Sequence, residues 1–376
     1  MSNGPPAFIP VNTPVFEGNE RRYLNECIDT WWISSEGPFV RRFEEEFARS
    51  MGRRFGISVS NGTDALYLAV RALGIGKGDE VIMPAFTIIS CAQAVIEAGA
   101  LPVLVDSDPV TWNMRPDQVA DRITSRTKAI MVVHIYGLPV DMDPILELVD
   151  KHGLLLLEDN AECIGQSYRN RVCGSFGHIS TFSFYANKHV TTGEGGMVLT
   201  DDPELDKVCR SLRNLCFEDP RFRHRSLGWN MRLTNLQAAV GLAQVERLEI
   251  TVQKKREMGR RYTAGLRGLD AITLPLESTD YAENVYWVYG IVLGDETGME
   301  APAFMKRLRE RGIDSRPFFW PMHEQPVFRE MGLFIHDSHP VAERLARRGF
   351  YPPSGLGLKE EEQNRVIVEL YRILDG

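Results

Sequence analysis

Leu154-Leu155-Leu156-Leu157-Glu158-Asp159-Asn160-Ala161-Glu162 is an unbroken apolar run that stops abruptly at carboxylates. Four consecutive leucines leave no polar face. A strand covered on both sides requires that, and such strands belong to parallel sheets with helices packed on each face. Side chains alternate along a strand, so Glu158 and Asp159 are expected on opposite faces, one toward a crevice and the other taken up by structure. Asp159, at the strand end, is the better candidate for a site. A carboxylate buried there needs a cationic partner, because an unpaired buried charge is expensive.

Outward from this run the same grammar repeats between about residues 55 and 200. Strands are expected at 56–60, 80–83, 101–105, 129–134, 154–158, 179–184 and 196–200, with helices at 64–73, 89–98, 116–123 and 142–151. Strands separated by helices imply an α/β fold with a mainly parallel, doubly wound sheet, whose ligands bind beyond the carboxyl ends of the strands. Helical stretches follow from 203 to 248, interrupted by a loop at 218–224. A long charged helix is expected from 236 to about 266. A smaller α/β unit then reads as a strand at 284–292, a helix at 303–311 and a last helix from 360. At 376 residues the chain exceeds one ordinary core, so a larger domain, 1–248, and a smaller C-terminal one, 249–376, are expected.

The next segment after the leucine run is Thr181-Phe-Ser-Phe-Tyr-Ala-Asn-Lys188-His-Val-Thr-Thr-Gly-Glu-Gly-Gly196. It leads from an aromatic strand to a lysine and then to glycines that let the backbone close around something. A lysine that does covalent chemistry must lose its proton, which a pocket favours and a solvated surface does not. Of the nine lysines, the others lie in turns, at a strand edge or in charge-rich helical stretches such as Lys254-Lys255, where a solvated face is expected. A third signal is Ser60-Asn61-Gly62-Thr63-Asp64, where a strand gives way to a helix. Free N–H groups and the helix dipole there suit a phosphate, although an ordinary helix cap at Thr63 explains the pattern equally well. A phosphate cradle, a carboxylate for a ring cation and a Schiff-base lysine are together the contacts that pyridoxal 5'-phosphate requires.

Composition narrows the alternatives. Hydrophobic residues make up 43% and charged residues 25%, as in a soluble globular protein. The net charge of −8 and the scattered basic pairs argue against a nucleic-acid partner. The six cysteines form no CxxC pair and no zinc spacing, and the eight histidines form no HExxH, so no metal is expected. With no signal-peptide pattern and no apolar run long enough for a bilayer, no membrane association and a cytoplasmic location are expected.

At these residues the sequence resembles the DegT/DnrJ/EryC1/StrS family of sugar-nucleotide aminotransferases, which are fold-type I pyridoxal-phosphate enzymes. The resemblance runs through Trp32–Val40, Ser60–Leu66, Pro84–Thr87, Glu158–Glu162, Phe182–Lys188, Thr192–Gly196, Gly228–Ala239 and Pro317–His323. It implies that Lys188 carries the cofactor and that Asp159 partners the pyridine nitrogen. Glu162 would lie near the ring hydroxyl, where many relatives have glutamine, and Phe86 would stack on the ring. Gly62, Thr63 and Ser183 would hold the phosphate. Asn230 would reach the phosphate from a neighbouring subunit, giving a homodimer with shared active sites. His323 and Arg316 would line the sugar-nucleotide pocket.

Two stretches, Arg213–His224 and Arg348–Gly357, look closest to the GDP-perosamine synthases of that family. That subgroup implies transfer of an amino group from L-glutamate to C4 of GDP-4-keto-6-deoxy-D-mannose. The open alternatives are a UDP- or dTDP-linked keto sugar, a sugar dehydratase using the same cofactor, and a non-catalytic protein on this fold. The dehydrating branch of the family has histidine in place of the lysine.

Overall fold

A computed structural model of the chain describes residues 7–374. The strands of the first two hundred residues are β1 (Phe55–Val59), β2 (Glu80–Pro84), β3 (Leu101–Val105), β4 (Thr127–Val133), β5 (Leu155–Asp159), the short β6 (Ser167–Tyr168) and β7 (Arg171–Val172), β8 (Ile179–Ser183) and β9 (Gly196–Thr200). All but the β6–β7 hairpin join one seven-stranded sheet in the order β1-β9-β8-β5-β4-β2-β3. The contacts among β3, β2, β4, β5 and β8 are parallel. Only β9, antiparallel to both β8 and β1, runs the other way. Every strand expected in this stretch is present, within two residues of its expected limits.

Apolar side chains of β1, β2, β4 and β5 fill both faces of the sheet. Ile57, Val81, Ala129, Met131 and Leu157 pack on one side against the helices Gly62–Ala72 and Ile89–Glu97. Ile82, Val105, Ile130, Val132 and Leu156 pack on the other against Met142–His152. Alternate residues of one strand thus enter different cores, the pattern expected when helices cover both faces.

Two departures occur along the helices. The long charged helix is two, Asn235–Val245 and Leu248–Leu266, broken at Glu246-Arg247. The expected domain boundary at 248/249 falls at the first turn of the second. The strand expected at 284–292 is confined to its end. A four-stranded sheet in the order β10-β11-β13-β12 is built from β10 (Ile272–Thr273), β11 (Ile291–Leu293), β12 (Arg316–Pro317) and β13 (Gly349–Tyr351). Helices Ala301–Glu310 and Glu360–Leu374 pack on it through Phe304, Leu308, Val366 and Leu370. Ile9, from the stretch expected to belong to the larger domain, packs in this second core and bridges to Ile313.

Candidate active site

A cavity of about 750 Å³ opens at the carboxyl ends of β1, β5 and β8, and is lined by Gly62, Thr63, Asp159, Glu162, Ser183 and Lys188 among others. Its size is that of a small-molecule site. Three segments far apart in sequence, 62–63, 159–162 and 183–188, meet there because parallel strands all release their loops on the same side.

The strand end of β5 sorts its carboxylates as alternation requires. Glu158 turns away from the cavity and is fully buried. It accepts N–H groups from Gly174 at 2.8 Å and Phe176 at 2.6 Å and lies 3.4 Å from His134 Nε2. Burial opposes its charge, but the contact with His134 and these N–H groups outweigh that and hold its pKa below the usual value. Asp159 turns toward the cavity. Its Oδ1 accepts the Ala161 N–H at 3.0 Å, and its Oδ2 accepts the Cys91 thiol at 3.3 Å. Burial pushes its pKa up, only partly offset by these contacts and by the charges of Lys188 and His134. No cationic side chain lies within salt-bridge distance among the described residues, so a ligand cation would relieve it.

Glu162 follows one turn later, with Oε2 accepting the Tyr136 N–H at 2.9 Å. Burial raises its pKa to about 8, with Asp159 adding to the effect and Lys188 opposing it. The group is therefore a neutral acid, able to donate a hydrogen bond, through most of the physiological range. The sign for stability follows. The folded pKa lies above the ordinary 4.5, so the stabilising contribution is whole below about 4.5 and is lost as pH rises through 8. Glu162→Gln removes that dependence. Urea unfolding of the cofactor-free protein at pH 6 and pH 9 is expected to show wild type losing on the order of 2–3 kcal/mol more than the variant. Equal losses would contradict a protonated Glu162.

The phosphate-cradle reading of 60–64 acquires a geometry. The helix starts at Gly62, not after Thr63, and its cap is Asn61, whose side chain accepts the Asp64 N–H at 2.8 Å. Thr63 is thus released from the capping role, and its hydroxyl lies 2.8 Å from Ser90 Oγ at the cavity wall. The N–H groups of Gly62 and Thr63, at the first turn, are left for a ligand. A Cβ on Gly62 would come within 2.7 Å of Ser183 Cβ, and one on Gly196 within 2.4 Å of the Asn61 carbonyl. Glycine at these two positions lets the helix start and the ends of β8 and β9 close together.

Lys188 sits on a turn closed by its own N–H donating to the Tyr185 carbonyl at 2.9 Å, just past β8. Its Nζ lies 3.6 Å from the centre of the Trp287 ring. Burial lowers its pKa, and Glu162 and Asp159 oppose that shift. An amine facing two carboxyl groups and an anion-binding helix start is the donor set that pyridoxal phosphate needs. The residues present fit that group. The buried Asp159, lacking a cation, and the Gly62–Ser183 closure are the observations that carry the fit.

Four expected residues are not at the cavity wall. Phe86 is fully buried below it, packed on Tyr136, Phe318 and Phe319, and Ile88, two residues on, forms the wall instead. His323 is 1% exposed, bonds Glu343 through Nε2 at 3.0 Å and packs edge-on against His339. Its ring is held by these two contacts and is not among the residues that line the cavity. Arg316 is half exposed and donates to Asp314 at 2.8 Å, although its strand register places it beside Tyr351, a cavity residue. Asn230 is exposed, outside the cavity. His323, Glu324 and Glu343 bring three possible ligand atoms within 4.8 Å of one another, but Glu343 already accepts from His323 and from the His339 N–H, and Glu324 from Arg347.

Sequence reasoning missed the aromatic wall of Tyr185, Trp287, Phe319 and Tyr351. Trp287 lies in the stretch expected as a strand and Tyr351 in one singled out for its resemblance alone, and neither signal marks a cavity residue. It also misread Lys255, which is 4% exposed rather than solvated.

Comparison with known proteins agrees with this geometry. Residues 15–371 match the model of the DegT/DnrJ/EryC1/StrS aminotransferase family. The chain is 43% identical to the GDP-perosamine synthase of Caulobacter vibrioides, covering 97% of this chain and 98% of that protein. It is 41% identical to the GDP-perosamine synthase of Escherichia coli O157:H7, covering 94% and 95%. The solved structure of the aminotransferase TlmJ from Streptoalloteichus hindustanus aligns with a TM-score of 0.90 at 31% identity, covering 98% of this chain and 99% of that one.

Proposed function

The chain belongs to the DegT/DnrJ/EryC1/StrS aminotransferase family, and from that premise we propose that it transfers the amino group of L-glutamate to C4 of GDP-4-keto-6-deoxy-D-mannose, giving GDP-perosamine. The reaction class and the cofactor are those of the family, whose members are sugar aminotransferases dependent on pyridoxal phosphate. The observation that carries the choice of substrate is identity above 40% to two GDP-perosamine synthases over nearly the whole length of each. A lysine in the cavity, where the dehydrating branch has histidine, favours amino transfer.

Pyridoxal phosphate, when bound, supplies an electron sink for the carbanion formed at the Cα of the amino donor. In the proposed arrangement the Gly62 and Thr63 N–H groups, with the Thr63 and Ser183 hydroxyls, bind the phosphate, and Lys188 is the covalent anchor. Asp159 would pair with the ring nitrogen and favour its protonated form, a cation that relieves the cost of the buried carboxylate. Glu162, neutral, donates to the ring hydroxyl. Lys188 Nζ, as a free amine, would take the proton from the donor Cα and return one to C4 of the sugar. Burial lowers its pKa, which favours the neutral amine that a base requires. Tyr185, Phe319 and Tyr351 exclude water from this amine and offer apolar faces to the sugar.

The proposal includes a cytoplasmic homodimer in which Asn230 of one subunit reaches the phosphate of the other. The exposure of Asn230 beside the exposed Leu227 and Trp229 supports a second copy on that face. Among the described residues no helix is long and apolar enough to cross a membrane.

Turnover with L-glutamate across GDP-, UDP- and dTDP-linked 4-keto-6-deoxy sugars tests the substrate. The GDP sugar is expected to be preferred by roughly 100-fold in kcat/KM, the scale set by a few kcal/mol of nucleotide contacts. Preference for a UDP or dTDP sugar would overturn the perosamine reading and leave amino transfer standing. Failure of L-glutamate alone to convert the bound cofactor to its amine form would count against amino transfer itself.

A further inference from the structure

Trp287 lies at the join of the two sheets and is held from three sides. Its indole Nε1–H donates to the Asn187 carbonyl at 3.0 Å, the residue before Lys188. Phe319 stacks on it at 6.4 Å with an interplanar angle of 15°. Its backbone carbonyl accepts from Lys255 Nζ at 2.8 Å, and the same ammonium donates to the Ser354 carbonyl at 2.5 Å. Lys255 comes from the helix Leu248–Leu266 and has no carboxylate within salt-bridge distance among the described residues. A lysine buried without a counter-charge is costly, and its two carbonyl partners tie the helix to Trp287 itself and to the Ser354 stretch. Lys188 Nζ sits over this ring, 3.6 Å from its centre.

We propose that Trp287 is a positioning residue for Lys188, a platform on which the lysine rests as a free ammonium, and that Lys255 holds this platform in place. The inference rests on Lys188 being the reactive lysine. An aromatic face attracts a cation, so the platform favours the charged amine while burial favours the neutral one. The carboxyl groups facing Lys188 are Glu162 and Asp159 at the end of β5. His189 and Lys255 approach from the opposite side, behind the turn, and share a small cleft with it. Trp287 adds to these a fixed, uncharged contribution that tethers the nitrogen within reach of the cavity whenever it is not covalently engaged.

The test is the pH dependence of Lys188 acylation in the full-length, cofactor-free protein, read by mass spectrometry of the Lys188 peptide. Trp287→Leu is expected to lower the midpoint by roughly half a unit to one and a half units, the size of a desolvated cation–π contact. Trp287→Phe, which keeps an aromatic face, is expected to lower it less. Lys255→Met is expected to shift it in the same direction as Trp287→Leu, and the double variant to shift it no further than Trp287→Leu alone, because the two act through one contact. An unchanged midpoint in Trp287→Leu overturns the platform. Additive shifts overturn the role given to Lys255. Should Trp287→Leu fail to fold, the Phe variant and Lys255→Met decide alone, and unchanged midpoints in both overturn the proposal. A midpoint that moves as expected while Lys188→Ala retains full turnover would instead refute the reading of Lys188 and leave the platform intact.

Discussion

Lys188→Ala is expected to lose essentially all turnover while the fold and the phosphate cradle persist. Among the described residues the side chain is the only amine on the cavity wall, and the proposed chemistry uses it twice, as covalent anchor and as the base at the donor Cα. Removal of a positioned general base alone costs roughly 10²–10⁴-fold, and loss of the anchor adds to it. Two measurements check the point. Borohydride reduction of wild type should fix the cofactor on the peptide containing Lys188 and nowhere else, and the variant should take up no covalent label. Thermal unfolding should stay close to wild type, because the amine makes no salt bridge and no hydrogen bond through Nζ among the described residues. Retention of even a tenth of wild-type turnover would dismiss Lys188 as the reactive lysine, whatever the fold.

Much of this site is legible in the chain because its determinants are local. The leucine run ending at Glu158-Asp159 specifies a strand buried on both faces, and alternation alone sends Asp159 to the cavity and Glu158 to His134 and the Gly174 loop. The carboxyl-end rule for parallel sheets then brings residues 62–63, 159–162 and 183–188 together without any knowledge of distances. What stays hidden depends on long-range packing. Phe86 and Ile88 lie two residues apart just past the end of β2, and only the third layer (Phe318, Phe319 and Tyr136) decides which of them sinks into the core. His323 is drawn off by Glu343 and His339, partners some twenty residues away with no sequence mark. Lys255 lies in a charge-rich helix and looks solvated there, until Trp287 and Ser354 close over it. Strands two or three residues long, such as β10 and β12, have no period to read at all.

Asp159→Asn is expected to slow turnover strongly while leaving the cofactor bound. The separation follows from the geometry. In the proposed arrangement Gly62, Thr63 and Ser183 would hold the phosphate and Lys188 would be the anchor, and none of these touches Asp159 through a hydrogen bond, so the amide is expected to disturb neither. The electronic role is what changes. A carboxylate beside a ring nitrogen raises the pKa of that nitrogen by about 1–3 units, or roughly 1.4–4 kcal/mol, and an amide does not. If this contribution is realised wholly in the transition state, kcat falls by roughly 10–1000-fold with KM for both substrates little altered. Burial makes the upper part of that range the better expectation, since Asp159 is 2% exposed and its charge, raised in cost by desolvation, is screened by little water. The amide oxygen can still accept the Ala161 N–H, with the amide NH2 turned to the Cys91 sulfur, a weak acceptor, so the variant keeps its orientation. The measurement is steady-state kinetics beside the visible spectrum of the bound cofactor. Undiminished kcat with cofactor in place would remove Asp159 from the mechanism, and loss of the cofactor would make it an anchor instead of an electronic partner.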